Sequence, residues 1–115
     1  MRDDHVYLTH ILECIEWIES YTREGYAAFS ASRQIQDAVL RNFEVMGEAT
    51  KRLSATVRDA HPEVPWRQVA GFRDVLIHDY FGIDLDEVWG VVTINLPFLK
   101  QQIRRTLQDL GDPSP

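Results

Sequence analysis

An arginine stands at a position that the helical period reserves for an apolar side chain. The segment from Pro65 to about Tyr80 is the third of four predicted helices, and its apolar residues recur at steps of three and four. Arg73 falls in the middle of the series Trp66, Val69, Ala70, Leu76, Ile77 and Tyr80. A guanidinium in a core stripe is costly unless it is paired or lines a cleft. We interpret Arg73 either as a functional group or as an arginine that snorkels to the surface or pairs with an acid such as Glu48.

Three polar neighbours could act with Arg73. Asp74 and His78 are four residues apart and share a helix face, where a carboxylate can fix the tautomer of a histidine and favour its charged form. Tyr80 lies within about 20° of Arg73 around the helix, whereas the row of Asp74 and His78 lies about 100–140° away. One copy would have to distort its helix to unite Arg73 with His78, and two copies meeting across a groove could do so more easily. The structural alternative for His78 is a helix-end histidine that interacts with terminal carbonyls.

Composition and charge restrict the possible function classes. The 115 residues fit one domain, 1–115, and the net charge of −6 argues against a simple nucleic-acid binder with a basic face. Residues 41–78 hold six Lys/Arg and five Asp/Glu, a balance of +1, whereas residues 1–40 balance at −4 and residues 79–115 at −3. A nuclease would therefore need a local cationic cleft in the middle of the chain.

The cysteine and histidine content predicts neither a disulfide nor a metal site. Cys14 is alone, and His5 and His10 are five residues apart instead of the three or four of a helical metal pair. The acidic start does not resemble a secretory signal, and no apolar run approaches the length of a membrane span. We expect a cytoplasmic protein that needs no cofactor.

The hydrophobic periodicity predicts an all-α fold, an antiparallel four-helix bundle with room for one extra short helix. The first helix is expected to run from a cap at Asp3 or Asp4 to about Tyr21, and the second from Arg33 to Leu53 with a further turn or two. The third is expected from Pro65 to about Tyr80, and the fourth from Asp84 onward with a kink at Pro97. Thr22–Ser32 is expected to be a loop or a short helical turn, Gly82 a C-terminal cap, and residues 111–115 a frayed end.

The segment around Arg73 resembles a known signature. The residues Arg73, His78 and Tyr80 form the pattern Arg-x4-His-x-Tyr, which is similar to the motif of HepT-like toxins in the HEPN superfamily. The resemblance extends through FRDVLIHDYFGIDLDEVW (72–89) and GEA (47–49), and covers about residues 3–110. Many family members carry Asn after the motif arginine, where this chain has Asp74.

The resemblance implies a helical-bundle homodimer whose two motifs line a shared cleft and cleave RNA without a metal ion. Arg73 would hold the scissile phosphate, His78 would move a proton, Asp74 would orient His78, and Tyr80 would close the pocket. The products would be a 2′,3′-cyclic phosphate and a 5′-hydroxyl.

The resemblance also implies a partner, a minimal nucleotidyltransferase antitoxin that silences the toxin by transferring AMP onto Tyr80, as in a type VII-like toxin–antitoxin system. The phosphate of that AMP is expected to pair with Arg73. The alternative is a non-catalytic nucleotide- or partner-binding subunit of a nucleotidyltransferase. A third interpretation, a structural dimerisation bundle, leaves Arg73 in the apolar stripe unexplained.

Overall fold

A computed structural model describes residues 2–111, Arg2 by its backbone alone, and no β-strand occurs in that range. The all-α prediction is confirmed. The helices are α1 Arg2–Tyr21, α2 Tyr26–Ala31, α3 Arg33–Arg52, α4 Ala55–Ala60, α5 Trp66–His78, α6 Leu85–Gly90 and α7 Leu96–Leu110. A 3₁₀ turn spans Tyr80–Gly82, and a π-helical turn spans Val91–Asn95.

The core follows an apolar stripe of α1. Helix α1 packs against α3 and α7, and α3 also packs against α5. The α1 side chains Leu8, Ile11, Ile15 and Ile18 recur at steps of three and four and are fully buried. Complete burial of each such side chain contributes about 1.5–3 kcal/mol, so α1 is the central support of the fold.

The sequence predicts a cap for the first helix at Asp3 or Asp4, but α1 already begins at Arg2, so both residues lie within the helix. The buried carboxylate of Asp4 instead accepts hydrogen bonds from the backbone N–H and the hydroxyl of Ser54, both at 2.8 Å. Ser54 in turn caps α4 by accepting from the N–H of Val57. The start of α1 is thus tied to the break between α3 and α4.

The predicted loop and the end of the second helix also take definite form. The segment 22–32 contains the short helix α2, which is the extra helix that the sequence allowed. Helix α3 ends at Arg52, one residue before the predicted end, and the chain resumes as the separate helix α4 instead of continuing. The extended backbone at Leu53 and the Ser54 cap cause this break.

The third predicted helix ends earlier than its periodicity indicated. Helix α5 stops at His78, and Asp79 closes it by donating its N–H to the carbonyl of Val75 at 2.9 Å. Gly82 is not the helix cap, because it lies in the 3₁₀ turn and has no left-handed φ. A Cβ on Gly82 would lie 2.5 Å from Oδ1 of Asp79, so this glycine makes room for a carboxylate.

The segment for which the sequence predicts one helix with a kink at Pro97 contains two α-helices joined by a π-helical turn. Asp84 caps α6 by accepting from the N–H of Asp86, and the chain passes through the π-helical turn into α7, where Pro97 lies in the first turn. The π turn replaces the i→i−4 pattern with an i→i−5 bond from Leu96 to Val91, and the missing N–H of Pro97 falls in the first turn of α7.

Two sequence expectations concern the chain end and membranes. Beyond Gly111, which terminates α7 with a φ of 77°, the segment expected to fray lies outside the described residues. None of the helices in residues 2–111 has the length and apolar character needed to cross a lipid bilayer.

Candidate active site

Helix α5 carries the motif on a surface that the core covers only in part. Trp66 and Leu76 are its buried side chains, and the indole N–H of Trp66 donates to the carbonyl of His61 at 3.0 Å. Val75 and Ile77 remain about half exposed. These anchors hold the helix in place while leaving its polar residues accessible.

The Arg73 guanidinium is held by two carboxylates. Its Nε lies 3.1 Å from Oε2 of Glu48 on α3, and its Nη1 lies 3.2 Å from Oδ1 of Asp74. The pairing with Glu48 that the sequence allowed is therefore present. The side chain is 26% exposed, and its Nη2 donates no hydrogen bond to a carboxylate within residues 2–111. Arg73 is thus fixed in orientation but keeps donors for another anion.

Arg73 lines a depression of about 300 Å³, which we call the Arg73 cleft. Its wall includes His10 of α1 together with Arg41, Glu48 and Arg52 of α3. Three arginines and two acids, Glu44 and Glu48, line it in total. This local excess of positive charge is what a phosphate would require in an acidic protein.

The carboxylate of Asp74 is shared between Arg73 and a lysine that the sequence did not single out. Nζ of Lys51 lies 2.6 Å from Oδ1 of Asp74. The hydrogen bond from Lys51 lowers the pKa of Asp74 below its ordinary value, and Arg73 adds to the effect. No hydrogen bond joins Asp74 to His78 within residues 2–111, so in one protomer Asp74 serves the two cations instead of the predicted histidine.

His78 ends α5 with an exposed imidazole. The imidazole ring makes no hydrogen bond or ion pair with any other residue in 2–111, so the helix-end interaction with terminal carbonyls is not made there. Within the same residues, no three His, Cys, Asp or Glu side chains come together in the manner of a metal site.

Tyr80 points to the opposite end of α3. Its hydroxyl donates to Oδ1 of Asp37, and Arg33 lies 3.8 Å from the other carboxylate oxygen of Asp37. The hydrogen bond to Asp37 raises the pKa of Tyr80 above its ordinary value. A groove of about 460 Å³, the Tyr80 groove, opens here, and Phe81 on its edge is 96% exposed.

Arg73 and Tyr80 consequently line different depressions of one protomer. Their contacts on α3, Glu48 and Asp37, are eleven residues apart, which corresponds to about 16 Å along a helix axis. The expected pairing of a phosphate on Tyr80 with Arg73 is therefore not available within one protomer in this arrangement.

Sequence reasoning missed Lys51 and Asp37. Both lie on α3, and both contact the motif from a different helix. Asp37, Glu44, Glu48 and Lys51 follow one another on α3 at steps of seven, four and three. A row of charged residues at helical spacing was the signal that could have revealed a polar seam facing α5.

Comparison with known proteins places the chain in a family. A model of the HepT-like family, described as "Ribonuclease HepT-like", matches residues 11–106. A Thermococcus cleftensis protein named probable ribonuclease HepT is 42% identical over 105 residues, which cover 90% of this chain and 96% of the relative. No solved structure matches.

Five relatives come from Methanocaldococcus jannaschii, and two of them illustrate the range of names. One is named both as a gamma-glutamylcyclotransferase and as a candidate RNase, and is 43% identical over 110 residues; this chain spans half of its length. The other is named as a candidate RNase and is 36% identical over 112 residues, which cover 96% of this chain and 97% of the relative. The family model matches residues 11–106, which include Arg73, His78 and Tyr80, and the Thermococcus cleftensis relative matches over almost its whole length, so the chain belongs to the HepT-like ribonuclease family.

Proposed function

We propose that the protein is a metal-independent endoribonuclease that acts as a homodimer, the toxin of a type VII-like toxin–antitoxin pair. The observation that carries the proposal is the half-buried, oriented Arg73 five residues before the exposed His78. A fixed guanidinium that keeps unused donors suits a phosphate, and an accessible imidazole suits proton transfer near neutral pH. The names of the relatives support the same activity.

In the proposed reaction, the ribose 2′-oxygen attacks the adjacent phosphorus and the bond from phosphorus to the 5′-oxygen breaks. One His78 accepts the 2′-OH proton, and the imidazolium formed in this way returns a proton, directly or through water, to the leaving 5′-oxygen. The products are a 2′,3′-cyclic phosphate and a 5′-hydroxyl, so atoms and charge balance without a metal ion. Arg73 stabilises the extra negative charge on the phosphoryl oxygens as the bond to the 2′-oxygen forms.

Asp74 is proposed to support this site through Arg73. It bridges Arg73 and Lys51, which limits the rotation of the guanidinium and offsets its own charge. A preorganised donor needs no rearrangement when charge develops, so the bridge favours the transition state. This role replaces the orientation of His78 that the sequence suggested.

The homodimer is proposed because Arg73 and His78 point about 140° apart on an ideal helix. A second copy related by two-fold symmetry could place its His78 opposite the Arg73 of the first. Val75 and Ile77, 54% and 46% exposed, lie between Arg73 and His78 in the motif and offer apolar surface for such a contact. We also propose that the long helices of each protomer form the antiparallel four-helix bundle that the sequence predicts.

The antitoxin is proposed to be a minimal nucleotidyltransferase that transfers AMP onto Tyr80. The phenol displaces pyrophosphate from ATP, and its proton leaves to solvent. Tyr80 is half-buried but lies at the edge of an open groove, which supports access by a second protein. The added phosphate would lie close to Arg33. It would inhibit through its charge and bulk at the end of α5, or by pairing with the Arg73 of a second copy and so occupying the position of the RNA phosphate.

The proposed activity is tested with end-labelled RNA and purified protein in excess EDTA. We expect cleavage with cyclic-phosphate and 5′-hydroxyl ends, and a loss of about 10²–10³ in rate for either Arg73→Ala or His78→Ala. His61→Ala is the matched control, since His61 lies in the turn before α5 and contacts Glu63 and Asp109.

Circular dichroism and sedimentation accompany each variant. A folded His78→Ala protein as active as the wild type would exclude this histidine from the reaction. A folded, dimeric wild type without cleavage would instead favour the non-catalytic nucleotide- or partner-binding subunit. A fully active monomer would contradict the shared cleft.

A further inference from the structure

A polar groove of about 960 Å³ lies beside the motif, between α4, the turn at 61–65 and α5. We call it the α4–α5 groove. Its charged lining consists of three cations and three acids, Lys51, Arg58, Arg67, Asp59, Glu63 and Asp74. It is the largest of the depressions described here and is distinct from both the Arg73 cleft and the Tyr80 groove.

The groove leads toward the proposed catalytic histidine. Arg67, Gly71, Asp74 and His78 follow one another on α5 at steps of four, three and four, so they form one row on the helix. The first three line the groove, and His78 continues the row beyond it. From Arg67 to His78 the row extends about 16 Å along the axis. A chain bound in the groove would therefore approach the motif from one side.

The cations of the groove are more available than its acids. Arg58 and Arg67 have no carboxylate within 4.0 Å among residues 2–111, although Arg58 Nε makes a 3.5 Å contact with the carbonyl of Ser54. By contrast, Glu63 lies 3.2 Å from His61, and Asp74 is bound by Lys51 and Arg73. Asp59 and Glu63 are the acids that remain to oppose an anionic ligand, because His61 offsets the charge of Glu63 only when its ring is protonated.

The groove also has an open floor. A Cβ placed on Gly71 would meet no atom within 4 Å outside its own helix backbone, so this glycine is not required for helix packing. Its lack of a side chain leaves space between Arg67 and Asp74 at the surface of α5. A ligand backbone could approach closely at that point.

We propose that the α4–α5 groove binds the sugar–phosphate backbone of single-stranded RNA next to the scissile phosphate, with Arg58 and Arg67 each holding a phosphate. This inference rests on the proposed ribonuclease function and adds a substrate-binding site to it. Phosphate contacts of this kind position the strand without reading its bases, so the site is tolerant of sequence. The binding must weaken steeply as salt rises, because phosphate contacts release counterions.

The test measures binding separately from cleavage. Fluorescence anisotropy follows a labelled, 2′-O-methylated oligonucleotide, which cannot be cleaved through its 2′-oxygen. We expect Arg58→Gln and Arg67→Gln each to weaken binding several-fold at low salt and to reduce the slope of log K against log salt by about 0.7, the value for one phosphate contact on a single strand. Asp59→Asn is expected to strengthen binding.

Arg105→Gln on α7 is the matched control, because Arg105 is exposed, lies outside this groove and has no carboxylate partner within residues 2–111. Equal RNA affinity of the Arg58, Arg67 and Arg105 variants would contradict RNA binding in the α4–α5 groove, whether or not the wild-type protein cleaves RNA. Loss of RNA binding in the groove variants, together with no RNA cleavage by the wild type, would support the binding site and contradict the proposed ribonuclease activity.

Discussion

Gly47 of α3 and Arg73 of α5 approach each other so closely that a methyl group on Gly47 would overlap the Cβ of Arg73. The same methyl group would lie 3.2 Å from the carbonyl oxygen of Val69. The absence of a side chain at Gly47 therefore sets the distance between the two helices. It also brings Glu48 and Lys51 within reach of the motif.

Gly47→Ala is expected to destabilise the protein and lower its ribonuclease activity. Overpacking costs about 1–3 kcal/mol, and the better helix propensity of alanine offsets only part of this. Thermal unfolding measures the change. Gly90→Ala in α6 is the control, since a Cβ there meets nothing within 4 Å and the substitution should be neutral or stabilising. A Gly47→Ala protein as stable as the wild type would mean that the helices can separate freely.

Arg73→Lys is expected to retain the fold but not full activity. An ammonium group cannot contact Glu48, Asp74 and a phosphate with the planar fork of a guanidinium. Loss of one charge-assisted hydrogen bond, about 1.5–3 kcal/mol, corresponds to roughly a 10–100-fold lower kcat/KM. Single-turnover cleavage measures the effect. Wild-type activity in the lysine variant would show that charge alone suffices at this position.

Lys51→Met is expected to raise the KM for RNA, because Asp74 then keeps only Arg73 to offset its charge beside the substrate. Asp74→Asn in the same chain should restore most of the loss, since the uncompensated charge is removed. The matched control is Lys100→Met, which breaks a 2.7 Å pair with Glu19 on another part of the surface. Additive effects of the Lys51 and Asp74 substitutions in the double variant would contradict the coupling.

The bond from Tyr80 to Asp37 is expected to stabilise the protein below pH 10 and to be lost above it. The pKa of Tyr80 is raised in the folded state, so the folded protein holds this proton more tightly than the unfolded chain. The stability difference between wild type and Tyr80→Phe should be constant up to about pH 10, the ordinary tyrosine value, and should fall as the pH rises through the higher folded pKa.

Urea unfolding across this range measures the difference, and NMR titration of labelled tyrosine locates the pKa. Asp37→Asn should bring the pKa of Tyr80 back toward its ordinary value, because the carboxylate charge is gone. Tyr21→Phe serves as control, since the Tyr21 hydroxyl has no hydrogen-bond partner within residues 2–111. An unchanged Tyr80 pKa in Asp37→Asn would contradict the assigned cause.

Cys14 is expected to be unreactive in the folded protein. Burial raises the pKa of its thiol to about 11, and Glu13 contributes to the shift. Since the thiolate is the reactive form, a disulfide reagent at pH 8 should modify Cys14 slowly in buffer and rapidly in urea. Rapid modification without denaturant would indicate that α1 opens locally.

The amino-acid sequence by itself determined the helices and the unusual position of Arg73. Ile11, Ile15 and Ile18 recur at the helical period and are buried, and Asp84 has the residue type and place of a cap. These features depend on residues within about four positions of one another, so they can be read along the chain. The Arg-x4-His-x-Tyr pattern lies within such a range as well.

Only the tertiary structure decided which groups meet across helices. The sequence suggests Asp74 as a neighbour of His78, but the packed helices join it to Lys51. Asp4 bonds to Ser54 instead of capping its own helix, and Tyr80 bonds to Asp37 instead of lying beside Arg73. These partners are 23, 50 and 43 residues away along the chain. Such contacts depend on how closely α3 and α5 approach at Gly47 and on how α1 packs against α3, and helical spacing carries no information about either distance.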